Sequence, residues 1–193
     1  MTGILNLQKN DILDLTKKDP TLKNITLGSG WDVAKKRLFS MQSDYDLDLV
    51  AILLNENEKL IKSSPIIYFG NKKAPGIFLH GDNTTGAGEG DDEKISISLD
   101  KLPKECFKVI FALNIYEAVS RKQNFSKVNN AYVRLLNEDK GNTEICRYNL
   151  SDNGGDNTAI IFAELTRVNG DWQFKAVGEL LKATIKSLAD RYK

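Results

Sequence analysis

Short runs of alternating apolar and polar residues, separated by turn residues, cover most of this chain. In Lys94–Leu99 the apolar residues Ile95, Ile97 and Leu99 recur at every second position, which places them on one face of a strand. The run Phe107–Tyr116 is apolar enough to be a central strand. About ten such runs at short intervals predict a mainly β protein built as a two-sheet β-sandwich.

The predicted strands follow one another along the whole chain. They cover Leu22–Leu27, Asp44–Leu54, Ser64–Phe69, Gly76–His80, Lys94–Leu99, Phe107–Tyr116, Ala131–Leu136, Thr143–Leu150, Thr158–Arg167 and Trp172–Val177, after a first hairpin over Asn6–Leu15. Since we find no linker and no repeat, we expect a single domain over residues 1–193.

Two segments have helical rather than strand character. Glu117–Asn124 predicts a short connecting helix, and apolar residues at helical spacing predict an amphipathic C-terminal helix over Glu179–Tyr192. We expect this second helix to pack on the sheets.

Composition indicates an ordinary globular protein. Of 193 residues, 41% are hydrophobic and 27% are charged, and the net charge of +1 gives no general attraction to nucleic acid or to an anionic membrane. We find neither a signal peptide nor an apolar stretch of membrane-spanning length. Cys106 and Cys146 lie among apolar residues without motif spacing, so we expect core thiols in a reducing compartment, the cytoplasm.

Residues 81–93, which we call the acidic loop, carry five carboxylates, four glycines and no basic residue. Like charges a few ångströms apart repel by about 1 kcal/mol in water, and by more when partly buried. Either full solvation or a bound cation can offset this repulsion, and we favour the cation. All side-chain donors in the loop are oxygens, and glycines allow carbonyl groups to turn inward, which favours Ca²⁺ over Mg²⁺, zinc or copper.

A second acidic element precedes the strand that ends at Leu54. Asp46 and Asp48 are two residues apart and therefore lie on one face of a strand, while Leu47 and Leu49 take the other face. These aspartates either face solvent or share a cation with the acidic loop. We predict the shared site.

Other glycine-rich sites do not fit the acidic loop. A phosphate-binding loop needs Lys followed by Ser or Thr after its last glycine, but Asp91 follows Gly90. The glycine spacing is not that of a dinucleotide site, and the ligand spacing is not that of an EF-hand. The single histidine, His80, borders the loop, and we expect it to make a structural hydrogen bond rather than to bind metal.

The chain resembles the TerD family of tellurium-resistance and bacterial stress-response proteins. The matching residues are Gly28-Ser29-Gly30-Trp31-Asp32, Asp46-Leu47-Asp48, the motif from His80 to Glu93, Asn124-Phe125 with Val128, Asn130-Ala131 and Arg134, and Trp172 with Phe174 and Ala176. Two departures from the usual family pattern, Ser29 and Leu49-Val50, remove no proposed ligand.

The resemblance implies a β-sandwich that binds two Ca²⁺ ions through the loop and the Asp46/Asp48 pair. The predicted metal ligands are Asp46, Asp48, Asp82, Asn83, Thr85, Gly86, Gly88, Glu89, Gly90, Asp91, Asp92 and Glu93. The resemblance also implies partners among other stress-response or tellurium-resistance proteins, in membrane-associated complexes, and hence a peripheral place at the inner face of the membrane.

Three functions remain open at this point. We favour a non-enzymatic Ca²⁺-dependent interaction module. The alternative is a metal-dependent hydrolase or phosphotransferase that uses the same acids. A third hypothesis, thiol chemistry on tellurite, is disfavoured because both cysteines lie in apolar runs.

Overall fold

The computed structural model describes residues 4–33, 45–62, 65–81, 90–150 and 154–193. Within these residues the chain forms thirteen strands in two sheets and two short α-helices, which confirms the predicted mainly β sandwich. In chain order the strands are β1 (Leu5–Leu7), β2 (Ile12–Asp14), β3 (Asn24–Val33), β4 (Leu47–Leu54), β5 (Ile66–Ile67), β6 (Lys73–Ala74), β7 (Ile77–Leu79), β8 (Glu93–Ser98), β9 (Lys108–Ile115), β10 (Val128–Asn137), β11 (Thr143–Asn149), β12 (Ala159–Val168) and β13 (Asp171–Leu181). The helices are α1 (Ala118–Arg121) and α2 (Ile185–Asp190).

The first sheet has the strand order β1-β11-β10-β3-β8-β7-β6, and the second has the order β2-β13-β12-β9-β4-β5. The pair β1–β11 is parallel, and the other strand pairs in the described residues are antiparallel. The acidic loop therefore connects β7 to β8, two neighbouring strands of the first sheet.

Strand β4 is buried on both faces, as its apolar run predicts. Leu47 and Leu49 pack into the main core between the sheets. Val50 and Ile52 face the other way, into a second apolar cluster that Leu188 of α2 covers. The amphipathic C-terminal helix thus closes the outer face of the second sheet.

The predicted hairpin over Asn6–Leu15 is wrong in its pairing. Both strands exist, but β1 pairs with β11 in the first sheet and β2 pairs with β13 in the second. The turn between them carries the chain from one sheet to the other instead of folding one strand back on its neighbour. Local alternation predicts strands, but it does not specify their partners.

The C-terminal helix begins later than predicted. Strand β13 continues to Leu181, where Leu180 and Leu181 pair with Ile160 and Ala159 of β12, so these residues extend the sheet. The helix starts after Thr184, whose side chain accepts a hydrogen bond from the Ser187 backbone N–H in a capping box. The apolar spacing that suggested a helix from Glu179 is shared by a strand end and a helix start.

The connecting helix α1 is confirmed, but it is shorter than the predicted Glu117–Asn124. Glu117 and Lys122, at its two ends, have left-handed backbone conformations, with φ of 50° and 52°, which stop the helix on both sides. A 3₁₀ turn over Phe125–Lys127 then leads into β10. In the described parts of the chain, no helix is long and apolar enough to cross a membrane.

Replacing Phe174 with alanine tests the core assignment. Phe174 is 1% exposed, and its removal leaves a cavity between the sheets. We expect the free energy of unfolding to fall by about 3–5 kcal/mol in chemical denaturation. Val119→Ala is the control, since Val119 is 84% exposed and its loss changes stability by no more than about 0.5 kcal/mol. Equal effects of the two substitutions would contradict the assigned core.

Candidate functional site

The described residues of both acidic elements lie at one end of the sandwich, which we call the loop end. There β3 finishes and β8 begins, with Glu93 opposite Ser29. In the second sheet β4 begins at the same end, because the Glu93 carboxylate accepts a hydrogen bond from the backbone N–H of Leu49. The fold therefore brings acids more than forty residues apart in sequence to one end of the molecule.

Glu93 lies between the two sheets and is 2% exposed. On the edge of β4 that faces away from β9, the N–H of Leu53 donates to the carbonyl of Pro65. Backbone N–H groups two residues apart in a strand point to the same side. The N–H of Leu49 therefore faces the same edge of β4. Strand β5 pairs with β4 only at Ala51 and Ile52. Oε2 of Glu93 accepts the N–H of Leu49 beyond the end of β5 and thereby ties the first sheet to the second.

Asp48 is on the opposite face of β4 from Leu47 and Leu49, as the alternation predicts. It is 3% exposed and lies opposite Asn114 of β9, on the outer face of the second sheet. Asp46 directly precedes the strand, and its carbonyl accepts a hydrogen bond from the Tyr116 N–H at 2.8 Å. Asp48 and Glu93 thus flank the start of β4 from its two faces.

Asp92 extends the pairing of β8 with β3 by one step. Its N–H donates to the Ser29 carbonyl at 2.8 Å, and its Oδ2 accepts the backbone N–H of Trp31 at 2.9 Å. Trp31 is 3% exposed, and its side chain packs into the core. The Asp92 carboxylate is therefore fixed against the last residues of β3.

Asp91 lies on the outer face of the first sheet, with a fully buried side chain. Its Oδ1 accepts Nε of Arg134 at 2.7 Å, and its Oδ2 accepts Nη2 at 3.0 Å, which is a two-pronged ion pair. The Tyr132 hydroxyl lies 3.0 Å from the same Oδ1, and Lys94 Nζ lies 3.8 Å from Oδ2. Asp91 thus forms an ion pair that the sequence analysis did not predict.

Charged neighbours hold Arg134 in this position. Its Nη1 donates to Glu144 at 3.1 Å, and Glu144 also accepts Nε of Arg147 at 3.0 Å. The hydrogen bond to Asp91 raises the pKa of Arg134 above its ordinary value. Burial would raise the pKa of Glu144, but the bonds from Arg147 and Arg134 outweigh it and lower that pKa. Burial, together with the nearby Asp91 charge, raises the pKa of Tyr132 to about 12.

Half of the predicted ligands fall outside the described residues. These are Asp82, Asn83, Thr85, Gly86, Gly88 and Glu89. Within the described ranges, no three His, Cys, Asp or Glu side chains form a group that could hold a metal ion. The ligand set therefore stays a prediction; its described members, Asp46, Asp48, Gly90, Asp91, Asp92 and Glu93, lie at the loop end.

Sequence reasoning gave no role to Tyr132, and it included Arg134 only as part of the family resemblance. Two glycines could have indicated this contact from the sequence. Gly28 and Gly30 lie at alternate positions of β3 and therefore on one face of the strand. A Cβ atom at Gly28 would lie 2.3 Å from Oδ2 of Asp91, and one at Gly30 would lie 2.6 Å from the Tyr132 ring. Glycine in a strand often marks a place where another group approaches the backbone closely, and here that group is the side chain of Asp91 or Tyr132.

A polar chain beside this site bears on the enzyme alternative. His80 Nε2 lies 2.8 Å from Ser96 Oγ, which confirms that the histidine makes a hydrogen bond, and Ser96 donates to Glu138 at 2.7 Å. Because a serine hydroxyl has one hydrogen, Nε2 is the donor to Ser96. A general base would have to accept a proton from the serine, so His80 as a donor is not the base of a Ser–His pair here.

The two cysteines are buried, free thiols. Burial raises the pKa of the Cys106 thiol to about 11 and that of Cys146 to about 12. Thiolates are the reactive form of cysteine, so neither side chain is prepared for chemistry at neutral pH. This agrees with the expectation that they are core thiols.

Comparison with known proteins identifies relatives of the whole chain. The family model described as the TerD domain matches residues 4–192. Tellurium resistance protein TerD of Serratia marcescens is 39% identical over 190 residues, covering 97% of this chain and 96% of that protein. General stress protein 16U of Bacillus subtilis (strain 168) is 38% identical over 190 residues, covering 97% and 96%.

A solved structure has the same fold. The crystal structure of a homologue of telluride resistance protein (TerD) from Streptomyces coelicolor A3(2) superposes with a TM-score of 0.68 at 22% identity. The match covers 87% of this chain and 95% of that one. At this identity the likeness supports the sandwich fold alone.

Thiol labelling at pH 8 tests the assignment of both cysteines. We expect the native protein to react with a disulfide reagent at least a hundred times more slowly than the unfolded protein, because burial and the raised pKa values keep Cys106 and Cys146 protonated and covered. Both thiols should react at once in denaturant. Rapid labelling of either cysteine in the native protein would reopen thiol chemistry as a function.

Proposed function

Since the chain belongs to the TerD family, we propose that it is a tellurium-resistance or stress-response protein that binds Ca²⁺ at the loop end and acts as a calcium-dependent interaction module. The observation that carries the proposal is the convergence of two acidic elements from different sheets. Asp46 and Asp48 at the start of β4 lie at the same end as Asp92 and Glu93, and the acidic loop joins that end.

The residues present fit a hard cation in donor type. The described side chains supply carboxylate oxygens, and the loop adds further carboxylate, amide, hydroxyl and carbonyl oxygens, the ligands that Ca²⁺ prefers. Asp48 and Glu93 are almost fully buried. Burying carboxylates beside further acids costs free energy, and a cation at the loop end would offset part of that cost. The number of ions, two, is the expectation from the family.

The described residues form the rigid part of the proposed site. Glu93 is held between the sheets by the N–H of Leu49, and Asp92 is held against Trp31, so neither carboxylate has to be ordered when the ion arrives. The ion would compensate the mutual repulsion of the remaining loop carboxylates. We infer that binding completes a neutralised surface at the loop end, and that this surface contacts a partner.

We propose that these partners are other stress-response or tellurium-resistance proteins, because the relatives carry names from both groups. The buried, protonated thiols support a reducing compartment and hence a cytoplasmic location. A place at the inner face of the membrane, in a complex with such partners, is part of the same proposal.

Thermal unfolding in EDTA, Ca²⁺ and Mg²⁺ tests calcium binding. At a hundred-fold excess over Kd, a ligand stabilises the native state by about 2.7 kcal/mol, which corresponds to a rise in Tm of roughly 5–10 °C. We expect this rise with Ca²⁺ and a much smaller one with Mg²⁺. Asp48→Asn and Asp92→Asn should each remove more than half of it, while Asp100→Asn, in an exposed turn, should retain it.

Fluorescence provides a local reading of the same event. The backbone of Trp31 contacts Asp92, so Ca²⁺ should change the emission of a Trp172→Phe variant, in which Trp31 is the remaining tryptophan. A wild-type protein that shows no Tm shift and no emission change would refute the calcium site.

The enzyme alternative makes a separate prediction. If the proposed function is right, the protein hydrolyses a generic phosphoester with Mg²⁺ or Mn²⁺ no faster than buffer does, because a calcium-binding interaction module holds its ion without a paired base and nucleophile. Metal-dependent turnover that Asp92→Asn abolishes, together with equal stabilisation by Mg²⁺ and Ca²⁺, would favour the hydrolase.

A further inference from the structure

Asp91 belongs to the predicted ligand set, yet its contacts are those of a buried ion pair. We propose that Asp91 and Arg134 form a latch that fixes the C-terminal end of the acidic loop to the outer face of the first sheet. Asp91 then acts through Arg134 as a positioning residue and does not bind calcium. The effect of the latch on calcium affinity rests on the proposed function, whereas its effect on the metal-free protein does not.

The geometry of the pair is the first argument. The planar guanidinium of Arg134 meets both carboxylate oxygens of Asp91, at 2.7 and 3.0 Å, the strongest arrangement for this pair of groups. An ion that bound these oxygens would have to displace Arg134 or lie a few ångströms from its positive charge. Displacing Arg134 breaks the ion pair, and a cation that lies beside Arg134 is repelled because like charges at that distance repel.

Two glycines of β3 leave space on the sheet for this pair and for Tyr132. Oδ2 of Asp91 occupies the space that a side chain at Gly28 would fill, since a Cβ atom there would lie 2.3 Å away. The ring of Tyr132 occupies the corresponding space at Gly30. The Tyr132 hydroxyl lies 2.9 Å from the Gly90 carbonyl and 3.0 Å from Asp91 Oδ1, so it contacts the loop at two consecutive residues.

Burial and a second layer of contacts distinguish this pair from an ordinary surface ion pair. The Asp91 side chain is 0% exposed and that of Arg134 is 24% exposed. Glu144 holds the far side of Arg134, and Arg147 stacks over the Tyr132 ring at 4.3 Å. Exposed ion pairs contribute little because their long side chains must be ordered, but here the neighbours already order them.

The latch determines where the next two acids go. The chain bends at Asp92, so that Asp91 lies on the outer face of the sheet while Glu93, two residues later, points inward to Leu49. A regular strand would place both on one face. With Asp91 fixed outside, the bend directs Asp92 to the end of β3 and Glu93 into the interior, which are the positions that the proposed calcium site requires.

A double-mutant cycle in EDTA tests the latch without metal. Asp91→Asn and Arg134→Met should each lower Tm by several degrees, and the double variant should lower it no further than the worse single variant, because each change breaks the same contact. A carboxylate present only to bind calcium would behave in the opposite way. Its removal would raise Tm in EDTA by reducing repulsion among Asp91, Asp92 and Glu93.

Calcium titration by calorimetry gives the reading that separates the two roles. With the latch, both single variants raise the Kd for Ca²⁺ at least ten-fold, and the double variant agrees with the worse single within about two-fold. If Asp91 is instead a ligand, Asp91→Asn raises Kd whatever residue is at 134, and Arg134→Met leaves Kd unchanged or lowers it because a positive charge is gone. That second pattern would overturn the proposal.

Hydrogen exchange locates the effect. The Asp92 N–H, bonded to Ser29, should exchange at least ten-fold faster in both single variants, while the helical amides of α2 keep their wild-type rates. Arg191→Met, which removes an exposed pair with Glu179 and touches neither Asp91 nor Arg134, should change neither Kd nor this exchange rate. Uniformly faster exchange over the whole chain would indicate a general loss of stability and contradict a latch.

Milder variants keep the test decisive if a single variant fails to fold. Tyr132→Phe removes only the hydroxyl contacts, and Arg134→Lys keeps the positive charge but loses the paired contacts to both carboxylate oxygens. Each should therefore raise the exchange rate of the Asp92 N–H by a smaller factor than Asp91→Asn or Arg134→Met does. If wild-type protein binds no Ca²⁺, the proposed function fails, and the EDTA cycle still decides the latch. If Ca²⁺ binds but the two EDTA effects simply add, the latch fails alone.

Discussion

The hydrogen bond from the backbone of Leu49 to the buried carboxylate of Glu93 is the constraint on which the loop end depends. It joins the two sheets at the point where β5 no longer covers the edge of β4. Because Glu93 is the first residue of β8, this one contact also determines how the acidic loop enters the sheet. A side-chain acceptor is needed here, since an apolar residue would leave the N–H of Leu49 buried without this partner.

Around this contact, three consecutive acids have three different environments. Glu93 is in the interior, Asp92 lies against the end of β3, and Asp91 is held on the outer face by Arg134. The sequence presents them as a single acidic run. The fold separates them with one bend and thereby distributes negative charge that would otherwise be concentrated. The acidic loop and the sandwich are in this sense one unit, because the loop's last residues are bonded to both sheets.

Local patterns predicted most of the fold. The alternation in Lys94–Leu99 and the apolar run of Phe107–Tyr116 correspond to β8 and β9 because burial on one or two faces leaves a direct trace in sequence. The failures were non-local. Nothing in Asn6–Leu15 indicates that its two strands join different sheets, and Leu180–Leu181 fits a helix as well as a strand until β12 is there to pair with it. For the site, the type of residue in the acidic loop was enough to predict a cation. The ion-pair partner of Asp91 is Arg134 on β10, and this contact became visible only in the fold.

The pairing of β1 and β2 with strands of two different sheets has a consequence for folding during synthesis. Each is an outermost strand, one in either sheet, and their partners β11 and β13 lie near the other end of the sequence. During synthesis β1 therefore has no partner strand until β11 has been made, and β2 has none until β13 has been made. Such long-range pairing slows folding and leaves strand edges uncovered in the meantime. These two strands therefore join the sandwich late, although they precede the other described strands in the sequence.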